Sequence, residues 1–391
     1  MIIDVHCHHT FTRLRAAVTD RFSFEPAPTA DASPNRPRPT DYDSCVSDRA
    51  LRRPAWRIAR WGLRLPPPAE ARAASVPDGW TELDRALAQR YEAHLFAAGP
   101  IERFVLLAFD AVHDDEGRCP PLPAPGDRFG SDIYTSNSLI RDLCRRFPQR
   151  FLFGASVHPY RRDAVECVEE VFAAGACLLK WIPLHHNIDF ADPRTVAVLR
   201  KCAALGLPLL VHCGDEYSLT TQRPQYRSVQ PLLTALRVLR RQDALPCVIV
   251  AHAATPVPPL GDRDSHRALL EALRGEFADA PLYSDIAALT AWPKVGYLRR
   301  LLRMPELHAH LLFGTDFPVP TGLCRLRRDL GPSYARLAAI RSWPQRAAAA
   351  CRALGFNEIV FHRAAELLPN VDYFARRARV AAAPACGDAS A

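Results

Sequence analysis

The stretch MIIDVHCHH (residues 1–9) sets three histidines, His6, His8 and His9, directly behind a short apolar run. In an extended strand, residues i and i+2 point the same way. His6 and His8 therefore share a face, with Asp4 below them on it, while Cys7 and His9 turn away. Two imidazoles spaced like this can bind one metal ion. What the pair does depends on what the other strands bring to the same place.

Seven further apolar runs follow from about residue 100: RFVLLAFD (103–110), RFLFGASVHP (150–159), GACLLKWIP (175–183), GLPLLVHCG (206–214), PCVIVAHA (246–253), APLYSDIAA (280–288) and HAHLLFGTDFP (308–318). Helical patterns lie between them, such as RDAVECVEEVFAAG (162–175) and PRTVAVLRKCAALG (193–206), the second closed by a glycine in the usual C-terminal place. Near-continuous apolar strands alternating with helices form a parallel sheet buried on both faces. Eight such units predict the α/β class and a (β/α)8 TIM barrel, distorted where a long insertion enters between its first two strands. A doubly wound open sheet is the alternative, but no GxGxxG follows the first strand.

That insertion covers about residues 10–99. It starts with the Pro-rich EPAPTADASPNRPRPT (25–40), read as an extended loop. DRALRRPAWRIARWGLRL (48–65) reads as a basic amphipathic helix broken at Pro54, and WTELDRALAQRYEAHLFAAG (80–99) as the first helix of the barrel. The Arg/Trp helix suits a lid or subunit contact over the barrel mouth better than a membrane surface. The expected organisation is one barrel over 1–375, with 10–99 as lid or interaction segment and 376–391 as a disordered tail.

With 48% hydrophobic and 24% charged residues over 391 positions, there is material for a large core. No apolar run reaches the roughly 18 residues of a membrane span, and the opening residues lack the parts of a signal peptide. The 12 cysteines form no CxxC pair, which reads as reduced thiol in a cytoplasmic protein. The formal charge is +8, and only three of the 50 basic residues, Lys180, Lys201 and Lys294, are lysine. The arginines are spread along the whole chain, so no nucleic-acid partner is expected, and an anionic small-molecule substrate accounts for the charge as well.

Chemistry gathers at the carboxyl ends of the runs. His212 closes LPLLVHC, His252 closes CVIVAHA, Asp316 closes HLLFGTDFP, and Lys180 lies near the end of ACLLKWIP. In a parallel barrel all these ends meet at one mouth, where active sites lie. Nitrogen and carboxylate ligands suit zinc, with manganese or iron as alternatives. Water on such an ion has its pKa lowered to about 7. Asp316 can serve as ligand and as the base that carries the water proton to the leaving group. His252 can bind a second ion or hydrogen-bond a substrate carbonyl. His158, His185, His186, Asp215 and Glu216 fall on mouth loops. Arg223 and Arg227 can receive a carboxylate or phosphate. Asp285, on the seventh strand, points near the mouth, where it can support the other site residues from behind.

The order HxH, Lys, His, His, Asp along these strands resembles the amidohydrolase superfamily of metal-dependent hydrolases. The wording GACLLKWIPLHHNID, LGLPLLVHCGDE and LLFGTDFP is similar to its amidohydrolase-related branch, which includes aminocarboxymuconate-semialdehyde decarboxylases. The likeness covers the strands and leaves out the insertion and the tail. It implies that His6, His8, His212 and Asp316 are metal ligands. It further implies that Lys180 stands where two-metal members carry a carbamylated bridge, with His252 joining the second ion. In one-metal, decarboxylase-like members the histidine at the place of His252 acts on the substrate instead.

The expected function is hydrolysis of an amide, ester or lactone bond in a small molecule, with one or two divalent ions, Asp316 and His252 as catalytic residues, and His158, Glu216 and Arg223 binding substrate. The alternatives are a metal-dependent decarboxylase of a small unsaturated or aromatic acid, and a non-catalytic or nucleic-acid-binding barrel. A homo-oligomer is compatible with all three.

Overall fold

The computed structural model describes residues 1–15, 18–26, 36–66, 80–124, 126–257 and 261–382. Its strands, in chain order, are β1 (Ile3–His8), β2 (Arg13–Leu14), β3 (Ser44–Val46), β4 (Arg103–Leu107), β5 (Ile133–Thr135), β6 (Phe151–Ala155), β7 (Ala176–Trp181), β8 (Leu209–His212), β9 (Val248–Ala251), β10 (Leu282–Asp285) and β11 (Leu311–Leu312). Eight of them form one parallel sheet in the order β1-β4-β6-β7-β8-β9-β10-β11. The segment after β11 returns to β1: Val5 N–H donates to Phe313 O (3.2 Å), Asp316 N–H to His6 O (2.7 Å) and His8 N–H to Phe317 O (2.8 Å). These bonds join the two edge strands and curl the sheet into a TIM barrel.

Helices cover its outside for the reason the sequence pattern suggests. The helix Ala164–Ala173 buries Cys167, Val168 and Val171, and Pro193–Leu205 buries Val198, Leu199 and Cys202. Gly206 ends the latter with φ 62°, the left-handed conformation that glycine tolerates best. A separate cluster that includes Ile3, Val5, Leu107, Leu178, Leu210 and Ile249 fills the inside of the ring. Leu178 and Leu210 stand two residues before Lys180 and His212, so along β7 and β8 the same face is apolar below and polar at the top.

Strand β1 departs from strict alternation. Its register against β4 shifts by one between Asp4 and Cys7, from Asp4 opposite Phe104 to Cys7 opposite Leu106. Such a bulge reverses the parity of the residues beyond it. Ile3 and Val5 therefore face the interior, and so do His6 and His8. Asp4 does not share their face, contrary to the simple period-two reading. Instead its Oδ1 accepts from the N–H groups of His6 (3.1 Å) and Thr315 (2.9 Å).

The insertion holds more structure than its composition suggests. β3 pairs antiparallel with β2 on one side and with β5 on the other, in a three-stranded sheet beside the barrel. The basic segment breaks at the proline, with helices at Asp48–Leu51 and Pro54–Leu63, and the next helix spans Glu82–Leu95. The part of the Pro-rich loop at 27–35 lies outside the described residues. The tail also needs correction. A helix spans Tyr373–Ala382, where disorder was expected from 376 onward, and 383–391 lie outside the described residues. No helix among the described residues is long and apolar enough to cross a membrane.

Candidate metal centre and cavity

A cavity of about 470 Å³ opens at the carboxyl ends of the barrel strands. His6, His8, Lys180, His212, His252 and Asp316 line it, together with Asp215 and Glu216. Trp56 and Ile58 of the insertion, Phe109, Ile182 and Trp292 supply apolar walls.

Asp316 stands at the centre of the polar floor. His8 Nε2–H donates to its Oδ1 at 2.9 Å, His6 Nε2 lies 3.5 Å from the same oxygen, and His252 Nε2 lies 3.7 Å from Oδ2. Burial alone would raise the Asp316 pKa, but His6, His8 and Lys180 outweigh it and hold the carboxyl below 3.8. The residue adopts φ 60°, and His252 φ 54°. Left-handed backbone at two non-glycine residues is strained and must be held in place by neighbours.

Asp285 does much of that holding. Its Oδ1 accepts from the N–H of His252 (2.7 Å) and of Ala287 (3.0 Å). Its Oδ2 accepts from His6 Nδ1–H at 2.8 Å. That bond fixes the His6 tautomer and leaves a lone pair on Nε2. His252 is fixed likewise, with Nδ1–H donating to Ala287 O at 3.0 Å. Burial keeps the pKa of both rings well below 6.5, so both stay neutral. Two neutral imidazole nitrogens and one carboxylate thus face each other within 4.8 Å. Each is an electron-pair donor, and a divalent cation is the partner such a set fits. His8 is joined to it through Asp316. Its other nitrogen, Nδ1, is buried with no hydrogen-bond partner among the described residues.

Lys180 is fully buried, and its Nζ donates to His6 Nε2 at 3.1 Å. Burial, opposed by Asp316 and Asp285, lowers its pKa from 10.5 to about 8.

Other expected site residues part company here. His212 Nε2 turns toward Glu216 Oε2 (3.5 Å) and the Asp215 carbonyl (3.3 Å), so it stands outside the three-residue group that His252 joins. Glu216 does line the cavity, and its Oε1 accepts from Ser218 and Leu219 N–H. His158 does not reach the cavity. Its Nε2–H donates to His186 O at 2.6 Å and its Nδ1 accepts from Tyr160 N–H at 3.1 Å, which uses both nitrogens. Arg223 is also turned away, donating to Asn187 Oδ1 at 2.6 Å and facing Asp115 at 3.8 Å. A substrate-binding role for these two does not match where they lie. The reading of the sequence also passed over Lys294, which lines the cavity and is buried. Its rarity as a residue type was the signal, since it is one of three lysines among 50 basic residues.

A family model described as amidohydrolase matches residues 3–331. The chain belongs to the amidohydrolase family. Among solved structures, an uncharacterized TIM-barrel protein from Bordetella bronchiseptica is 16% identical over 90% of this chain and 99% of its own, with a TM-score of 0.47. A probable 2-pyrone-4,6-dicarboxylic acid hydrolase from Acinetobacter baumannii, with citric acid bound, is 12% identical over 91% and 96%, TM-score 0.43. A 5-carboxyvanillate decarboxylase from Novosphingobium aromaticivorans, with bound manganese, is 11% identical over 67% and 78%, TM-score 0.39. No curated protein matches the chain.

Proposed function

We propose that this amidohydrolase-family protein is a metal-dependent hydrolase that cleaves an amide, ester or lactone bond in a small molecule. The observation that carries the reading is the set of His6 Nε2, His252 Nε2 and an Asp316 oxygen within 4.8 Å of one another at the floor of the cavity. These residues would hold the ion, with His8 beside Asp316, and zinc suits the donors best, ahead of manganese or iron. When bound, the ion supplies Lewis acidity and acidifies water.

The chain's own groups do the rest. Asp316 is ionised at neutral pH and oriented by His8, so it can take the proton of the attacking water and pass it to the leaving group. His252 has no proton on Nε2 to give to a substrate carbonyl, because its Nδ1–H is engaged by Ala287, so it fits the ligand role better. Lys180 can donate to an oxygen at the floor of the cavity. Trp56 and Ile58 place the insertion in the cavity wall, where it would select the substrate and limit water.

Decarboxylation of a small unsaturated or aromatic acid is the second reading. The apolar walls favour it, because a carboxylate is less stabilised where water is excluded. Assays in ¹⁸O-water over amides, esters, lactones and carboxylic acids separate the two. Hydrolysis leaves one ¹⁸O in the product. Release of CO2 with no ¹⁸O incorporated would replace the first reading with the second.

A further inference from the structure

In the cavity one charged side chain is left over. Asp316 is engaged by His6 and His8. Glu216 accepts from two backbone N–H groups and faces His212. Asp215 accepts from the N–H groups of Val257 (3.3 Å) and Asp262 (2.9 Å) and faces Arg227 at 3.4 Å. Lys180 is bonded to His6. Lys294, on the loop after β10, is only 9% exposed, and among the described residues its ammonium has no hydrogen bond or ion pair.

Asp316, Glu216, Asp285 and Asp215 act on Lys294 only at longer range; a buried cation with no direct partner is costly, and the cost falls when an anion arrives. Two of the chain's three lysines line this one cavity, in a protein that uses arginine for almost every other positive charge. A lysine is a compact point charge, whereas an arginine would present a planar fork of donors. In the same cavity, Trp56, Phe109, Ile182 and Trp292 offer flat or branched apolar surface.

We infer that Lys294 anchors the anionic group of a ligand whose apolar, ring-bearing body lies along the walls formed by Trp56, Phe109 and Trp292. The ligand class is a small organic monoanion of the carboxylate type. This deepens the reading of the cavity as the substrate site and rests on it. Lys294 recognises charge, while the metal centre acts on the bond that breaks.

Binding of 2-naphthoate and of its neutral counterpart 2-naphthamide to the full-length protein tests this, read by quenching of tryptophan fluorescence. Both the metal-loaded and the chelator-treated protein are titrated, so a carboxylate bound to the ion is told apart from one bound to Lys294. The expected result is a preference for naphthoate of about tenfold or more in both preparations. It is lost in Lys294→Gln and kept in Lys294→Arg. The ratio of the two affinities within one variant is insensitive to partial loss of folded protein.

A preference that survives in Lys294→Gln, equal affinity for both probes, or binding of neither would overturn the anchor. If Lys294 served only as an internal counter-charge, Lys294→Gln would lower the melting temperature and leave the ratio as it was, which also overturns the proposal. Failure of the hydrolase reading shows separately, as absent metal binding or turnover, and leaves the ratio in the chelated protein untouched.

Discussion

Asp285 Oδ2 sits 2.8 Å from Nδ1 of His6, across 279 residues of sequence, while its other oxygen holds the backbone N–H of His252. One carboxylate therefore orients two of the three residues proposed to hold the metal. Burial raises its pKa to about 6, opposed by the His252 N–H and Lys180, which still leaves it ionised at pH 7.5 or above.

Asp285→Asn removes the acceptor for His6 and weakens the clamp on His252. The expected loss of metal affinity is about 10- to 100-fold, the usual effect of losing a carboxylate behind a ligating histidine. Competition titration with a chelating indicator measures it. Unchanged affinity would mean that His6 is not a ligand.

The donor set predicts one ion per chain. His6→Ala combined with Asp316→Asn should abolish tight metal binding in elemental analysis of folded protein. Because the three donors fit a single ion, Lys180→Met should keep the count at one, even with bicarbonate and excess divalent ion present. Two ions in the parent protein and one in Lys180→Met would instead establish a carbamate bridge.

Acid should destabilise the fold. Burial keeps the pKa values of His158, His185, His186 and His266 below 6.5 and lowers that of His94 to about 4. Unfolded, each would take up a proton near pH 6.5. The stability tied to these neutral rings is fully present above that pH and is lost as pH falls toward the folded values. Asp4 (about 7), Asp285 (about 6) and Glu25, all raised by burial, act in the opposite direction, but they are fewer. The melting temperature of chelator-treated protein should therefore drop between about pH 7 and pH 5. A flat or rising profile would contradict the burial of these rings.

Trp56→Ala opens the wall contributed by the insertion. The expected outcome, once a substrate is found, is a KM raised about tenfold, as for loss of a large apolar contact, with metal content unchanged. Unchanged kinetics would remove the insertion from substrate selection.

The barrel was legible because its signal is local. An apolar run such as PCVIVAHA or GLPLLVHCG declares a buried strand by itself, and helices such as Pro193–Leu205 carry their own periodicity and glycine stop. The short strands β2, β3 and β5 carry no such mark. Two or three residues have no period, and only their pairing with one another makes them strands.

By its order of residues alone, the chain determined that His6, His8, Lys180, His212, His252 and Asp316 would meet at one mouth, since parallel strands bring their carboxyl ends together. Which of them face one another was decided only in three dimensions. A one-residue bulge turned Asp4 away from His6 and His8, and Glu216 drew His212 aside while Asp285 brought His252 in. Partners inside the protein claimed His158 and Arg223, and among the described residues none bonds Lys294. The physical reason is that a side chain's partner and burial depend on groups tens to hundreds of residues away, whereas the apolar period that makes a strand or helix is complete within a few.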